Sequence, residues 1–216
     1  MNFIPSKTPA LIQRIFPKYY LFNKGTEGRK EIFLTFDDGP IPEITEFVLD
    51  QLERYAAKAT FFCIGDNIKK NPAIFKKIIT AGHAVGNHTM NHMKAWQNNN
   101  DSYIKNILDC ADIISKHSDV EHTSLLFRPP YGQISYTKFK KLQAIGYKII
   151  LWDVLSKDYD TRLTPQQCVN NVITNICNGS IIVLHDSKKA FPNLQYTLPK
   201  VLDVLSAEGY SFKALT

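Results

Sequence analysis

Two carboxylates in a row, Asp37 and Asp38, follow the apolar run Glu31-Ile32-Phe33-Leu34 and precede the chain-turning pair Gly39-Pro40. Adjacent ionised carboxylates repel, and either a cation or proton uptake must offset the repulsion. A bound metal is the simplest remedy, although Asp-Gly also makes an ordinary hydrated turn. The segment His88-Thr89-Met90-Asn91-His92 offers matching donors. On a helical turn, residues four apart are neighbours, so both imidazoles reach one ion, with Asp38 as third ligand. Two histidines and one carboxylate leave positions open for water and substrate, which is the catalytic pattern.

Further chemistry-bearing clusters lie downstream. In Phe127-Arg128-Pro129-Pro130-Tyr131-Gly132 the prolines stiffen the loop. Arg128 can project from it, and backbone N–H groups after Pro130 can face a site. For Arg128, a structural ion pair is the alternative. Trp152 and Asp153 supply an aromatic wall and a carboxylate, and a core tryptophan beside a solvated loop would read the same. His185 ends the run Val183-Leu184-His185, where a general acid would sit. His83 reads as a hydrogen-bonded structural residue.

These clusters need strands to bring them together. Apolar, β-forming runs predict strands at 31–36, 58–64, 83–86, 125–128, 148–153, 180–185 and 210–214. Helical periodicity, with proline or polar starts and glycine stops, predicts helices at 43–57, 72–81, 101–116, 135–145, 165–177 and 198–208. The run 180–185 shows no alternation, as expected of a strand covered on both faces. Alternating β and α units with continuous apolar strands give an α/β fold, a barrel-like parallel sheet ringed by helices. Every cluster then falls at a strand end.

The 216 residues fit one domain, with residues 1–28 as an N-terminal covering segment whose stretch 9–20 is amphipathic. Composition is ordinary, at 44% hydrophobic and 21% charged. The formal charge of +6 favours anionic partners, but the lysine pairs are scattered, and no block is dense enough for nucleic acid. No window has the ~18 apolar residues of a membrane span. The four cysteines lack metal-type spacing and read as reduced, mostly buried thiols. The start shows no charged stretch followed by an apolar core. That favours the cytoplasm, whereas a wall substrate would place the protein in the cell envelope if the natural chain begins further upstream.

Taken in order, the clusters resemble the motifs of the NodB-type polysaccharide deacetylases, carbohydrate esterase family 4. T-F-D-D-G is Thr35 to Gly39, and H-[S/T]-x-x-H is His88 to His92. The R-x-P-Y-like segment begins at Arg128, D-x-x-D-W lies around Asp158, and L-x-H ends at His185. Two departures stand out: Leu155 replaces the first acid of D-x-x-D-W, and Tyr159 replaces its tryptophan. The resemblance implies a distorted (β/α) barrel and a divalent metal, zinc first, with cobalt or another ion as alternatives. The implied activity is removal of acetyl groups from N-acetylated sugars of a glycan such as peptidoglycan or chitin. It further implies Asp37 as general base, Asp38, His88 and His92 as metal ligands, and Arg128 tuning Asp37. His185, held by Asp158, would be the general acid, and the Tyr131 N–H would stabilise the oxyanion. Pro130, Tyr131, Trp152 and Leu184 would line the substrate site. The rival readings are a deacylase of O-acetyl xylan or a lipid-linked sugar, and a non-catalytic glycan-binding module.

Overall fold

A computed structural model describes residues 5–11, 20–21, 28–118 and 125–216. Nine strands among them form one sheet: β1 (Tyr20–Leu21), β2 (Glu31–Asp37), β3 (Ala59–Cys63), β4 (Ala84–Asn87), β5 (Leu126–Phe127), β6 (Lys148–Ile150), β7 (Val154–Leu155), β8 (Ile181–His185) and β9 (Ser211–Phe212). The order is β1-β6-β5-β4-β3-β2-β8-β7, with β9 paired to the start of β2, and the ladders are parallel. Helices α1 (Ile44–Arg54), α2 (Gly65–Lys70), α3 (Pro72–Thr80), α4 (Asn100–His117), α5 (Tyr136–Ala144), α6 (Pro165–Ile173) and α7 (Phe191–Ala207) surround it. The result is the expected distorted (β/α) barrel.

Strand β2 is the axis of the fold. All seven of its residues are buried, because β3 and β8 flank it and both of its faces are covered. Side chains alternate across a strand. Ile32, Leu34 and Phe36 join the large cluster beneath the helices, whereas Phe33 packs inside the barrel with Phe62, Leu126, Ile150 and Ile181. The inner row of β2 therefore runs Phe33, Thr35, Asp37, from apolar floor to polar rim. The inner row of β8 runs Ile181, Val183, His185 by the same parity.

Several boundaries differ from those expected. The run 148–153 splits into β6 and β7, with Trp152 and Asp153 between them. Helix α7 begins at Phe191, seven residues before its predicted start; Pro192 opens it and Pro199 lies inside it, so two prolines masked one helix. Helix α2 was not predicted, because it has only six residues and begins with glycine. The covering role expected of residues 1–28 falls largely on 1–4, 12–19 and 22–27, which lie outside the described residues. Of the rest, Lys7 bridges Val154 in antiparallel fashion, and Tyr20 extends the sheet beside Ile149.

Candidate active site

The carboxyl ends of the strands converge on a cleft of about 940 Å³. Asp37 and His185 are register partners on β2 and β8, so the two residues read as base and acid stand side by side on neighbouring strands. Arg128 follows β5 and turns into the barrel. It is fully buried, donating from Nη1 to Asp37 Oδ1 and to Thr35 Oγ1, both at 2.7 Å. Nη2 donates to the Leu151 carbonyl at 3.0 Å, and the guanidinium lies 4.1 Å from the Phe62 ring centroid. Burial works against its charge and Asp37 supports it. The ion pair and the site-facing position, posed as alternatives for Arg128, are one arrangement.

Asp38 turns out of the strand with φ 85°, a left-handed conformation that aspartate tolerates better than most residues. Asn67 Nδ2 donates to its carbonyl at 2.7 Å, and the next amide, Gly39 N–H, donates to Asp186 Oδ1 at 2.9 Å. A Cβ on Gly39 would lie 1.9 Å from Asp186 Oδ2, so glycine is required there. Thr45 Oγ1 donates to the same Asp186 carboxylate at 2.6 Å. Burial pushes Asp186 up to about 8, against the lowering pull of these hydrogen bonds. The turn is thus clamped from both sides, and Asp38 Oδ1 is left buried without a hydrogen-bond partner.

That unsatisfied oxygen faces two imidazoles, His92 Nε2 at 3.4 Å and His88 Nε2 at 3.8 Å. The histidines do not share a helical turn as the spacing suggested. They belong to a loop after β4 in which Thr89 and His92 both have positive φ, and the Asn87 side chain accepts from the Thr89 amide. The loop still brings the ring centroids within 5.1 Å. His88 Nδ1 lies 2.7 Å from the Arg128 carbonyl, so that nitrogen carries the proton and the Nε2 lone pair is free. Burial drops the His88 pKa to about 3, which keeps the imidazole neutral, the form that binds metal. Donor atoms of Asp38, His88 and His92 all lie within 4.8 Å of one another. Ligands ~2.0–2.2 Å from a tetrahedral centre stand roughly 3.3–3.6 Å apart, close to the 3.4 and 3.8 Å between Asp38 Oδ1 and the two imidazoles, so this donor set suits a divalent ion.

On the other flank, His185 Nδ1 lies 2.7 Å from Asp158 Oδ1, and the His185 amide donates to Asp158 Oδ2 at 2.8 Å. Asp158 is fully buried, and the Lys157 φ of 61° turns the chain just ahead of it. Burial would lower the His185 pKa, but the charge and hydrogen bond of Asp158, with Asp38 and Asp37 nearby, lift it to about 9.

Of the expected lining residues, Trp152 and Tyr131 border the cleft, with the Tyr131 and His92 ring centroids 4.8 Å apart. Leu184 does not. It points to the helix side with Ile182, and strand parity gives the wall position to Val183. Pro130 is buried in the loop, and Pro129 borders the cleft instead. Asp153 is also displaced: its amide bonds to Ile181 at the opposite end of β8. Sequence reasoning missed Thr35, Val183 and Asp186. Counting two residues back from Asp37 and His185 would have found the first two. His83 is structural as read, its Nδ1 accepting from the Ala59 amide. Cys63, Cys110 and Cys168 are buried and Cys177 is exposed, and none of the four forms a disulfide.

Comparison with known proteins places this geometry. The polysaccharide deacetylase family model matches residues 24–150. A peptidoglycan-N-acetylglucosamine deacetylase of Bacillus cereus is 36% identical over 203 residues, 94% of each chain. A chitooligosaccharide deacetylase of Azorhizobium caulinodans is 34% identical over 164 residues, 74% of this chain and 76% of that one. The crystal structure of the Bc1960 peptidoglycan N-acetylglucosamine deacetylase superposes with a TM-score of 0.86 at 32% identity, covering 96% of this chain and 95% of that one. The chain belongs to the polysaccharide deacetylase family, the NodB-type carbohydrate esterase family 4.

Proposed function

We propose that this protein hydrolyses the N-acetyl group of N-acetylglucosamine units in a glycan, with the reaction centred on Asp38, His88 and His92. The observation that carries the reading is the buried, unsatisfied Asp38 oxygen facing two imidazoles, flanked by Asp37–Arg128 and by His185–Asp158. A divalent ion held by the three ligands, zinc on the strength of the donor set, supplies a Lewis acid that polarises an acyl oxygen and acidifies water.

The chain's own groups do the rest. Arg128 occupies Asp37 Oδ1, so the other oxygen takes the proton of the attacking water. Asp38 leaves Asp37 to this task by serving as the ligand. The Tyr131 N–H donates to the developing oxyanion, and one such donor is typically worth ~10²–10³ in rate. Asp158 binds His185 at Nδ1, which leaves Nε2 to carry the proton that the departing sugar amine needs. At neutral pH a pKa of about 9 keeps that proton in place until the C–N bond breaks. Trp152 and Val183 form the wall for the acetyl methyl.

Acetate release from chitooligosaccharides, peptidoglycan and acetylxylan tests the reading. Amide substrates are expected to turn over, and activity on the ester alone would reject it. Elemental analysis adds a second readout: the purified protein is expected to hold one metal, and His88→Ala to lose it.

A further inference from the structure

Asp38 and the His88–His92 loop leave strands that are not neighbours. β3 lies between β2 and β4, and strands ~4.8 Å apart put the ends of that outer pair roughly 9–10 Å from each other. The chain that fills this gap is the continuation of β3, residues 64–71, which includes the six-residue helix α2. On one side, three consecutive carbonyls of the Asp38 turn accept hydrogen bonds from it. Asp38 O accepts from Asn67 Nδ2 at 2.7 Å, Gly39 O from the Ile64 amide at 3.0 Å, and Pro40 O from Asn71 Nδ2 at 3.1 Å. On the other side, the first two amides of α2 donate to the histidine loop, Gly65 to Thr89 O at 3.1 Å and Asp66 to Met90 O at 2.8 Å. The packing there is close: a Cβ on Gly65 would lie 2.4 Å from Met90 Sδ and 3.3 Å from Cys110 Cα.

Asp38, Thr89 and His92 all hold positive φ. Such conformations persist only where the surroundings over-determine them. Segment 64–71 is the one piece of chain described above that grips both strained segments, and Asn67 is its side-chain contact to a ligand residue itself. We infer that Asn67 is a positioning residue for the metal ligands: through α2 it holds the Asp38 turn in register with the histidine loop. The register sets the 3.4 and 3.8 Å separations between Asp38 Oδ1 and the two imidazoles before any ion arrives. Ligands held in place in advance bind more tightly, because less ordering remains to be done on binding. Asn71 has a smaller part, since its amide reaches Pro40, two residues past the ligand, and also turns back to the Asn67 carbonyl at 3.2 Å. The inference rests on the metal-site reading and adds the residue that preorganises that site.

Two measurements read the site without turnover: zinc affinity by chelator competition, and the visible absorption of the cobalt-loaded protein, which reports ligand geometry. Asn67→Leu keeps a similar volume and cannot donate. Its zinc Kd should rise about 10–100-fold, the usual cost of losing an outer-shell partner, and its spectrum at saturating cobalt should differ from that of the wild type. Asn67 is half-buried, so the milder Asn67→Ala is available and should act in the same direction. Asn71→Leu removes an equivalent amide and should raise the zinc Kd less. Thr60→Val supplies the control for plain destabilisation. It deletes the buried acceptor of the Leu215 amide near the amino end of β3, so Tm should fall while zinc Kd and cobalt spectrum stay as in the wild type. Wild-type affinity and spectrum in both Asn67 variants, or a Thr60→Val protein that loses zinc as steeply, would overturn the inference and leave the metal site standing. A wild-type protein that holds neither zinc nor cobalt would remove the site and the inference with it.

Discussion

The barrel buries carboxylates at both ends, and the two ends use them differently. At the amino end of β8, Asp153 is 1% exposed and its acceptor capacity is taken up. Lys7 Nζ lies 2.8 Å away, and Ser180 Oγ and Cys177 Sγ donate to the same Oδ2 at 2.5 and 3.5 Å. Lys7 is itself completed by the Asn175 carbonyl at 2.7 Å. At the carboxyl end, Asp38 Oδ1 is buried with no hydrogen-bond donor, and Asp37 has one oxygen bound to Arg128. A buried polar group without a partner is costly and persists where something else supplies the partner. Burial of an acid therefore does not mark a site, and an unfilled lone pair does. One end is a clamp and the other a receptacle.

The largest expected effect is at the receptacle. Asp37→Asn keeps the shape and the Arg128 contact but removes the base, so kcat should fall about 10²–10⁴-fold with metal content unchanged. A variant that turns over normally would refute the assignment. Asp158→Asn comes next. It removes the charge that lifts His185, so the basic limb of the rate profile should move down from about 9 toward ~6.5. The same shift has a stability sign. A histidine whose folded pKa is raised stabilises the fold fully below its unfolded value of ~6.5, and the gain is lost as pH rises through about 9. Metal-free protein should thus lose Tm across that window, and Asp158→Asn should flatten the slope. Smaller again is Asp186→Ala, which removes the acceptor for the Gly39 amide and the Thr45 hydroxyl. Loosening the turn that aims Asp38 should weaken zinc affinity about 10–100-fold in a chelator competition, the usual cost of losing an outer-shell partner.

The same contrast explains what could be read from the chain alone. Asp37, Asp38, Arg128 and His185 are polar residues at the ends of apolar runs, His88 and His92 follow the short run 83–86, and strand ends in a parallel barrel converge, so their meeting was legible. The loop that carries the two histidines was not. Residues four apart suggest a helical turn, but Thr89 and His92 adopt positive φ because Asn87, Thr89 and Asn106 side chains bond the loop's backbone amides, a pattern no periodicity reveals. Leu184 was misplaced because a strand buried on both faces has no hydropathic alternation to show which side faces the cleft. The phase was nevertheless fixed by His185, which puts Val183 on the inner row. Asp153 and Asp158 look alike in sequence, five residues apart, and only the break between β6 and β7 sends one to each end of the barrel.

That pair gives the smallest and most discriminating prediction. If Asp153 belongs to the clamp alone, Asp153→Asn must cost stability without touching chemistry. The amide still fills the space and can accept from Ser180, but it loses the charge that holds Lys7. Lys7 is 37% exposed, so water recovers part of that loss, and the cost should be about 1–2 kcal/mol rather than the ~3–5 of a fully buried broken pair. Lys7→Ala should cost less than Asp153→Asn, because it leaves Asp153 with the Ser180 and Cys177 donors. Denaturant titration measures both, and kcat and zinc affinity should match the wild type. A drop in kcat for Asp153→Asn with metal content and Tm preserved would mean that the two ends communicate through β8, and the division between clamp and receptacle would fail.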